Sequence, residues 1–271
     1  MVRFDGKVAL ITGASSGIGA ALGREFAARG ATVALAARRT DRLRTVADAI
    51  VAGGGTAVPF TCDVTRDGDL ERTVAAVVGE FGHLDVAVAN AGFGVVGSLA
   101  DLAIDDYRRQ FETNVFGLLR TTFAVLPALK GSRGVLVLVG SVTGYLAAPA
   151  ASPYAMSKFA VRAFAESVRP ELAKEGVAVV LITPGFVDSE IRRVDNRGRY
   201  HASAPEPIPA WLRMPTERAA RRIVRAVAGR RAEKIVTVHA GATVFFARHF
   251  PRLLRRLLRR GRPYRTAPRS D

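Results

Sequence analysis

The sequence predicts an α/β domain built on a single doubly wound parallel sheet of about seven strands, with helices on both faces. Three observations carry this. Short, almost wholly apolar runs alternate with longer segments of helical period, the pattern of strands buried on both sides. The first run opens directly into a glycine-rich loop. Polar landmarks then follow the later runs, at the carboxyl ends where such sheets bind ligands. With 271 residues, 49% of them hydrophobic, the chain can bury one full core.

The elements follow in order. Residues 8–11 (VALI) read as the first strand, and the helical pattern after the loop runs to about residue 29. Residues 32–37 are a second strand, followed by a helix near 41–51. Residues 57–62 lead to a helix near 70–80, and 84–89 lead through a loop to a long helix near 105–126. The run 134–139 precedes a helix that carries Tyr154 and reaches about residue 174. Residues 177–182 form the next strand, and a helix near 217–228 and a strand at 234–239 close the domain, drawn as 1–240. Residues 186–215 are polar and proline-rich, with Pro205, Pro207, Pro209 and Pro215, and read as a substrate lid.

The net charge is +16, and only five of the 40 basic residues are lysine. From residue 229 onward there are 12 basic and two acidic residues, so this end carries +10 and the preceding 228 residues only +6. The tail 241–271 contains Arg252 to Arg260 (RLLRRLLRR). On a helix, its four leucines share one side and its five arginines surround the other. Such a segment suits an anionic membrane surface, a partner's groove, or its own domain. The single cysteine, Cys62, excludes an internal disulfide and suggests a reducing compartment. The first apolar run begins too early for a leader to precede it, and no run of about 18 apolar residues exists, so a cytoplasmic location is expected.

In the glycine loop, Thr12 to Gly19 (TGASSGIG), glycines 13, 17 and 19 let the backbone turn tightly at a helix N-terminus. Unpaired N–H groups and the positive dipole end there suit a pyrophosphate, with Ser15, Ser16 and Ile18 alongside. The second strand ends at Ala37, where an NAD site usually has an acid, and Arg38 and Arg39 follow at once. Guanidinium in place of carboxylate favours the 2′-phosphate of NADP(H) over NAD(H); the alternative is a solvated basic turn. Asp63 and Val64 close the third strand, where Asp63 could accept from an adenine. Asn90, Ala91 and Gly92 close the fourth, and could line a cofactor or brace the sheet.

Ser141 ends the fifth run, thirteen residues before Tyr154, and Lys158 follows one helical turn after the tyrosine. An ammonium beside a phenol favours phenolate, so the pair could tune Tyr154 for proton transfer. Alone, it could equally be a surface pair.

Taken together, these motifs closely resemble the short-chain dehydrogenase/reductase family over roughly residues 5–240, in the family's order. The matching positions are Thr12 to Gly19, Asp63, Asn90 to Gly92, Asn114, Ser141, Tyr154, Lys158, Pro184 and Gly185. The resemblance implies a Rossmann fold and a carbonyl/alcohol oxidoreductase with no metal ligand. Tyr154 would be general acid/base, and Lys158 would lower its pKa and hold the nicotinamide ribose. Ser141 would bind the reacting oxygen, and Asn114 would hold a relay water. Pro184, Gly185 and Val187 would border the nicotinamide, and Ser189 would bind the cofactor. Three departures stand out: Ser189 where threonine is common, Ala89 where the family has a first asparagine, and Ser16 where some NADP users carry a basic residue. The resemblance further implies a homodimer or homotetramer and a small-molecule carbonyl or alcohol substrate, with lipophilic or medium-sized substrates suggested by the tail and peripheral membrane contact through 245–260. The rival classes are a catalytically silent cofactor-binding regulator and a nucleic-acid binder. The few aromatics in the tail and the lack of a recognition motif count against the second.

Overall fold

The computed structural model describes residues 2–252 and Arg256. Seven strands form one sheet: β1 (Val8–Thr12), β2 (Thr32–Ala37), β3 (Thr56–Thr61), β4 (Val86–Ala89), β5 (Val135–Val139), β6 (Ala178–Thr183) and β7 (Glu233–Ile235). Their order is β3-β2-β1-β4-β5-β6-β7 and every pairing is parallel. The order reverses between β1 and β4, which opens a crevice at their carboxyl ends.

Alternation along each strand divides the core in two. Ile11, Val33, Leu35, Val88, Val137 and Ile182 face one layer of helices: α1 (Gly17–Ala27), α2 (Thr40–Ala52) and α7 (Thr216–Ala228). Leu10, Ala34, Ala87, Leu136, Leu138 and Leu181 face the other: α3 (Asp69–Phe81), α5 (Gly117–Ser132) and α6 (Ser152–Ala173). Both faces of β1, β2, β4, β5 and β6 are therefore apolar, which is why those runs show no polar alternation in sequence.

Two expected elements differ from those observed. The long helix near 105–126 is α4 (Ile104–Phe111) and α5, joined through a π-helical turn at Glu112–Phe116. That one wide turn carries Asn114 and turns it into the core, where it is 2% exposed. The strand expected at 234–239 ends at Ile235, and α8 (Val238–His249) begins three residues later. Thr237 is the reason: its backbone is extended and its Oγ1 accepts the Ala240 N–H at 3.3 Å, a cap that starts a helix. α8 thus spans residue 240, where the sequence places the end of the domain. The leucine–arginine run at 253–260 lies, apart from Arg256, outside the described residues.

The segment 186–215 is ordered by polar ties. It contains 3-10 turns at Glu190–Arg193 and Ala210–Leu212, and Val187 bridges Met214. Arg192 Nε donates to Glu206 at 2.6 Å, both side chains being largely buried. Burial opposes the Glu206 charge, but the Arg192 hydrogen bond and the Ile208 N–H hold its carboxyl below the usual range.

Candidate active site

The glycine loop is closed because no side chain fits it. A Cβ on Gly13, at φ +66°, would lie 2.8 Å from Ala91 Cα. One on Gly19 would strike the Gly13 carbonyl and lie 2.6 Å from Asn90 Nδ2. Asn90 itself donates to the carbonyls of Thr12 (2.9 Å) and Gly13 (3.3 Å), and its N–H reaches Thr12 Oγ1 at 3.1 Å. Asn90 therefore braces β4 against the loop, the second of the two roles its position allowed. Ser16, at the α1 N-cap, makes no side-chain cap bond, so the helix's first N–H groups are not satisfied by that residue. The cradle fits a pyrophosphate.

At the β2 end, Arg39 donates to Ser15 Oγ (3.2 Å) and Ser16 Oγ (2.7 Å), tying the basic turn to the glycine loop. Arg38 stands 4.0 Å from Asp63 Oδ2, while Asp63 Oδ1 accepts from the backbone and hydroxyl of Thr65. Ile18 packs against the core and Val64 is buried. Ser189 lies against Gly17, with its Cβ 3.2 Å from where a Gly17 Cβ would be.

Ser141, Tyr154 and Lys158 come together at the β5 end. Ser141 Oγ accepts from Thr143 Oγ1 at 2.8 Å, and the Lys158 ammonium lies 5.8 Å from the Tyr154 ring centre. The α6 start supplies Tyr154 and Lys158 on one face, and the 3-10 turn Val142–Gly144 supplies Thr143. Burial pushes the Tyr154 phenol up, and the Ser141 and Thr143 hydroxyls and the Arg192 charge only partly offset it. Lys158 is itself buried, at 6% exposure. Its own pKa is pushed down to about 8, and its Nζ is directed at the Val139 carbonyl, 2.9 Å away.

Asn114 grips the backbone of Phe93 with both amide ends (3.1 and 3.0 Å) and donates to Ser157 Oγ at 3.2 Å. Both its N–H donors are thereby used within the protein. Gly92 faces it, since a Cβ there would lie 3.0 Å from Asn114 Oδ1. Pro184 accepts the Val142 N–H (2.9 Å), and Val187 is buried in the core. Gly185 admits no side chain, because His239 and Thr237 lie against it.

Sequence reasoning missed four groups: Thr143, Arg192, Glu190 and His239. The last accepts the Phe186 N–H on Nε2 at 2.8 Å. Trp211 is 83% exposed within residues 186–215, and Tyr145 is buried with its hydroxyl on Glu233 at 2.6 Å.

Comparison with known proteins agrees with this geometry. The sequence model of the family described as short chain dehydrogenase matches residues 7–199. The chain belongs to the short-chain dehydrogenase/reductase family. It is 40% identical over 207 residues to 11-beta-hydroxysteroid dehydrogenase 1A of Arabidopsis thaliana, covering 75% of this chain and 57% of that protein. It therefore spans little more than half of that relative. An uncharacterised oxidoreductase, YxnA of Bacillus subtilis, is 34% identical over 94% of this chain and 72% of its own length. A Burkholderia phymatum short-chain dehydrogenase/reductase, solved with NAD, superposes over the whole of both chains with TM-score 0.82 and 28% identity. An alcohol dehydrogenase from Thermococcus sibiricus, solved with 5-hydroxy-NADP, gives TM-score 0.74 and 29% identity, over 84% of this chain and 95% of that one. The family's members are oxidoreductases that use a nicotinamide cofactor, and the glycine cradle here fits one.

Proposed function

We propose that this chain is an NADP(H)-dependent enzyme interconverting a carbonyl and a secondary alcohol on a lipophilic or medium-sized substrate. The observation that carries this is the convergence of the Tyr154, Ser141 and Thr143 hydroxyls beside the glycine cradle. A bound nicotinamide supplies or takes the hydride. Ser141 and Tyr154 would hydrogen-bond a developing alkoxide, and Tyr154 would exchange the proton at that oxygen. Gly13, Ser15, Gly17 and Gly19 would hold the pyrophosphate, and Lys158 the nicotinamide ribose. Arg38 and Arg39, joined by Arg42, would hold a 2′-phosphate. The hydroxysteroid dehydrogenase names of the Arabidopsis relatives support a lipophilic substrate.

The test is turnover of a ketone and hydroxysteroid panel with NADPH and NADH, followed by nicotinamide absorbance. Tyr154→Phe is expected to lower kcat by at least about a thousandfold while NADPH still binds, because it removes the proton donor and little else. Near-normal turnover in that variant would overturn the assignment.

A further inference from the structure

The lid meets the cofactor turn through one carboxylate. Glu190 opens the 3-10 turn Glu190–Arg193. Both its oxygens accept from Arg42 NH1 at 2.7 Å, and Oε2 accepts from Arg39 NH1 at 3.2 Å. Arg39 spends its other donors on Ser15 and Ser16, so one guanidinium joins the glycine loop, the β2 turn and the lid. A second lid residue, Tyr200, stacks on the same turn, with its ring centre 4.7 Å from the Arg42 guanidinium carbon. A cavity of about 520 Å³, lined by Arg38, Arg39, Thr40, Asp41 and Arg42, opens beside these contacts.

We propose that Glu190 is a specificity-determining residue that competes with the cofactor's 2′-phosphate for Arg39 and Arg42. This rests on the NADP(H) reading above. The ion pairs are partly exposed, with side chains 30–41% accessible, so solvent weakens them. A phosphate brings three acceptor oxygens and nearly two charges, against the carboxylate's two oxygens and one. It displaces Glu190 from the turn. A ligand lacking that phosphate leaves Glu190 in place. Release is passed along the lid, because Arg192, two residues on, is clamped to Glu206, which precedes the turn Ala210–Leu212. That turn carries Trp211, the chain's only tryptophan and an exposed one, which serves as a built-in reporter.

The experiment titrates the full chain with 2′,5′-ADP and with 5′-ADP, reading affinity by calorimetry and Trp211 emission in parallel. In the wild type, 2′,5′-ADP should shift the emission and 5′-ADP should not. Glu190→Gln should tighten 2′,5′-ADP by about three- to fivefold and change 5′-ADP by less than about twofold, the scale of a half-exposed ion pair. Suppose the wild type prefers 2′,5′-ADP but Glu190→Gln leaves the ratio of the two affinities unchanged. The competition is then wrong and the NADP(H) reading stands. If the wild type shows no preference, and Arg39→Ala weakens neither ligand, both fall. Thermal unfolding of each variant confirms that the comparison is between folded proteins.

Discussion

Lys158 is buried where its charge is disfavoured, and its cost should be visible as stability. Burial lowers its pKa to about 8 from the ordinary 10.5, so between those values the unfolded chain holds the proton and the folded one releases it. Stability should then fall as pH drops from about 10.5 to about 8 and stay reduced below, by about 3 kcal/mol for such a shift. Lys158→Met lacks this dependence. The Tm of the wild type should fall relative to that of Lys158→Met through this window in paired melts, and a constant gap would contradict the burial argument. At this scale the sequence was informative where residues sit close together: Ser141, Tyr154 and Lys158 fall within 18 residues. It was silent where they do not. Glu190 meets Arg39 across 151 positions, and His239 meets Phe186 across 53, and no spacing rule links such partners.

Among elements, the joint between β6 and α8 decides how the site's floor is held. His239, in the first turn of α8, accepts the Phe186 N–H, stacks on the Phe186 ring at 5.3 Å and faces the Thr237 hydroxyl at 3.1 Å. Burial lowers its pKa, so the unfolded chain protonates first as pH falls. The stability this joint gives is full above about pH 6.5 and is lost as pH drops toward the folded value. His239→Leu strands the Phe186 N–H and should cost about 1–3 kcal/mol in denaturant unfolding at pH 7.5, with a weaker KM for cofactor. His239→Gln, whose amide oxygen can stand near Nε2, should recover part of both. Equal losses in the two variants would show that packing, and not the hydrogen bond, holds the segment. The strands and most helices were legible because apolar runs and helical period are local. The π-helical turn at Glu112–Phe116 and the helix starting at Val238 were not, since a single wide turn and a lone threonine cap leave the apolar pattern almost unchanged.

At the scale of the whole molecule, the exposed phenylalanines among the described residues fall in two groups. Phe245, Phe246 and Phe250 cluster at the end of α8, beside Arg248 and Arg252, in the part of the chain that carries most of the net charge. No helix among the described residues is long and apolar enough to cross a membrane. Truncation after Gly241 would cut α8, whose Val244 is buried and whose Arg248 reaches Tyr145. A chain ending at Pro251 spares those contacts and should sediment less with anionic vesicles than the full chain, whereas equal sedimentation would clear the tail of an anchoring role. The second group lies on α5 and α6. Phe116 and Met156 line one shallow apolar cavity with Tyr107 and Phe111. Phe123 follows two turns along, 68% exposed, and Phe159 one turn along. An exposed apolar patch of this kind would fit a second copy of this chain across a twofold axis, as members of the family commonly form oligomers. Phe116→Asp combined with Phe123→Asp places charge on the patch without touching the core, and should convert a dimer or tetramer into a smaller species by light scattering while the thermal transition stays cooperative. An unchanged mass would move the subunit contact to another face.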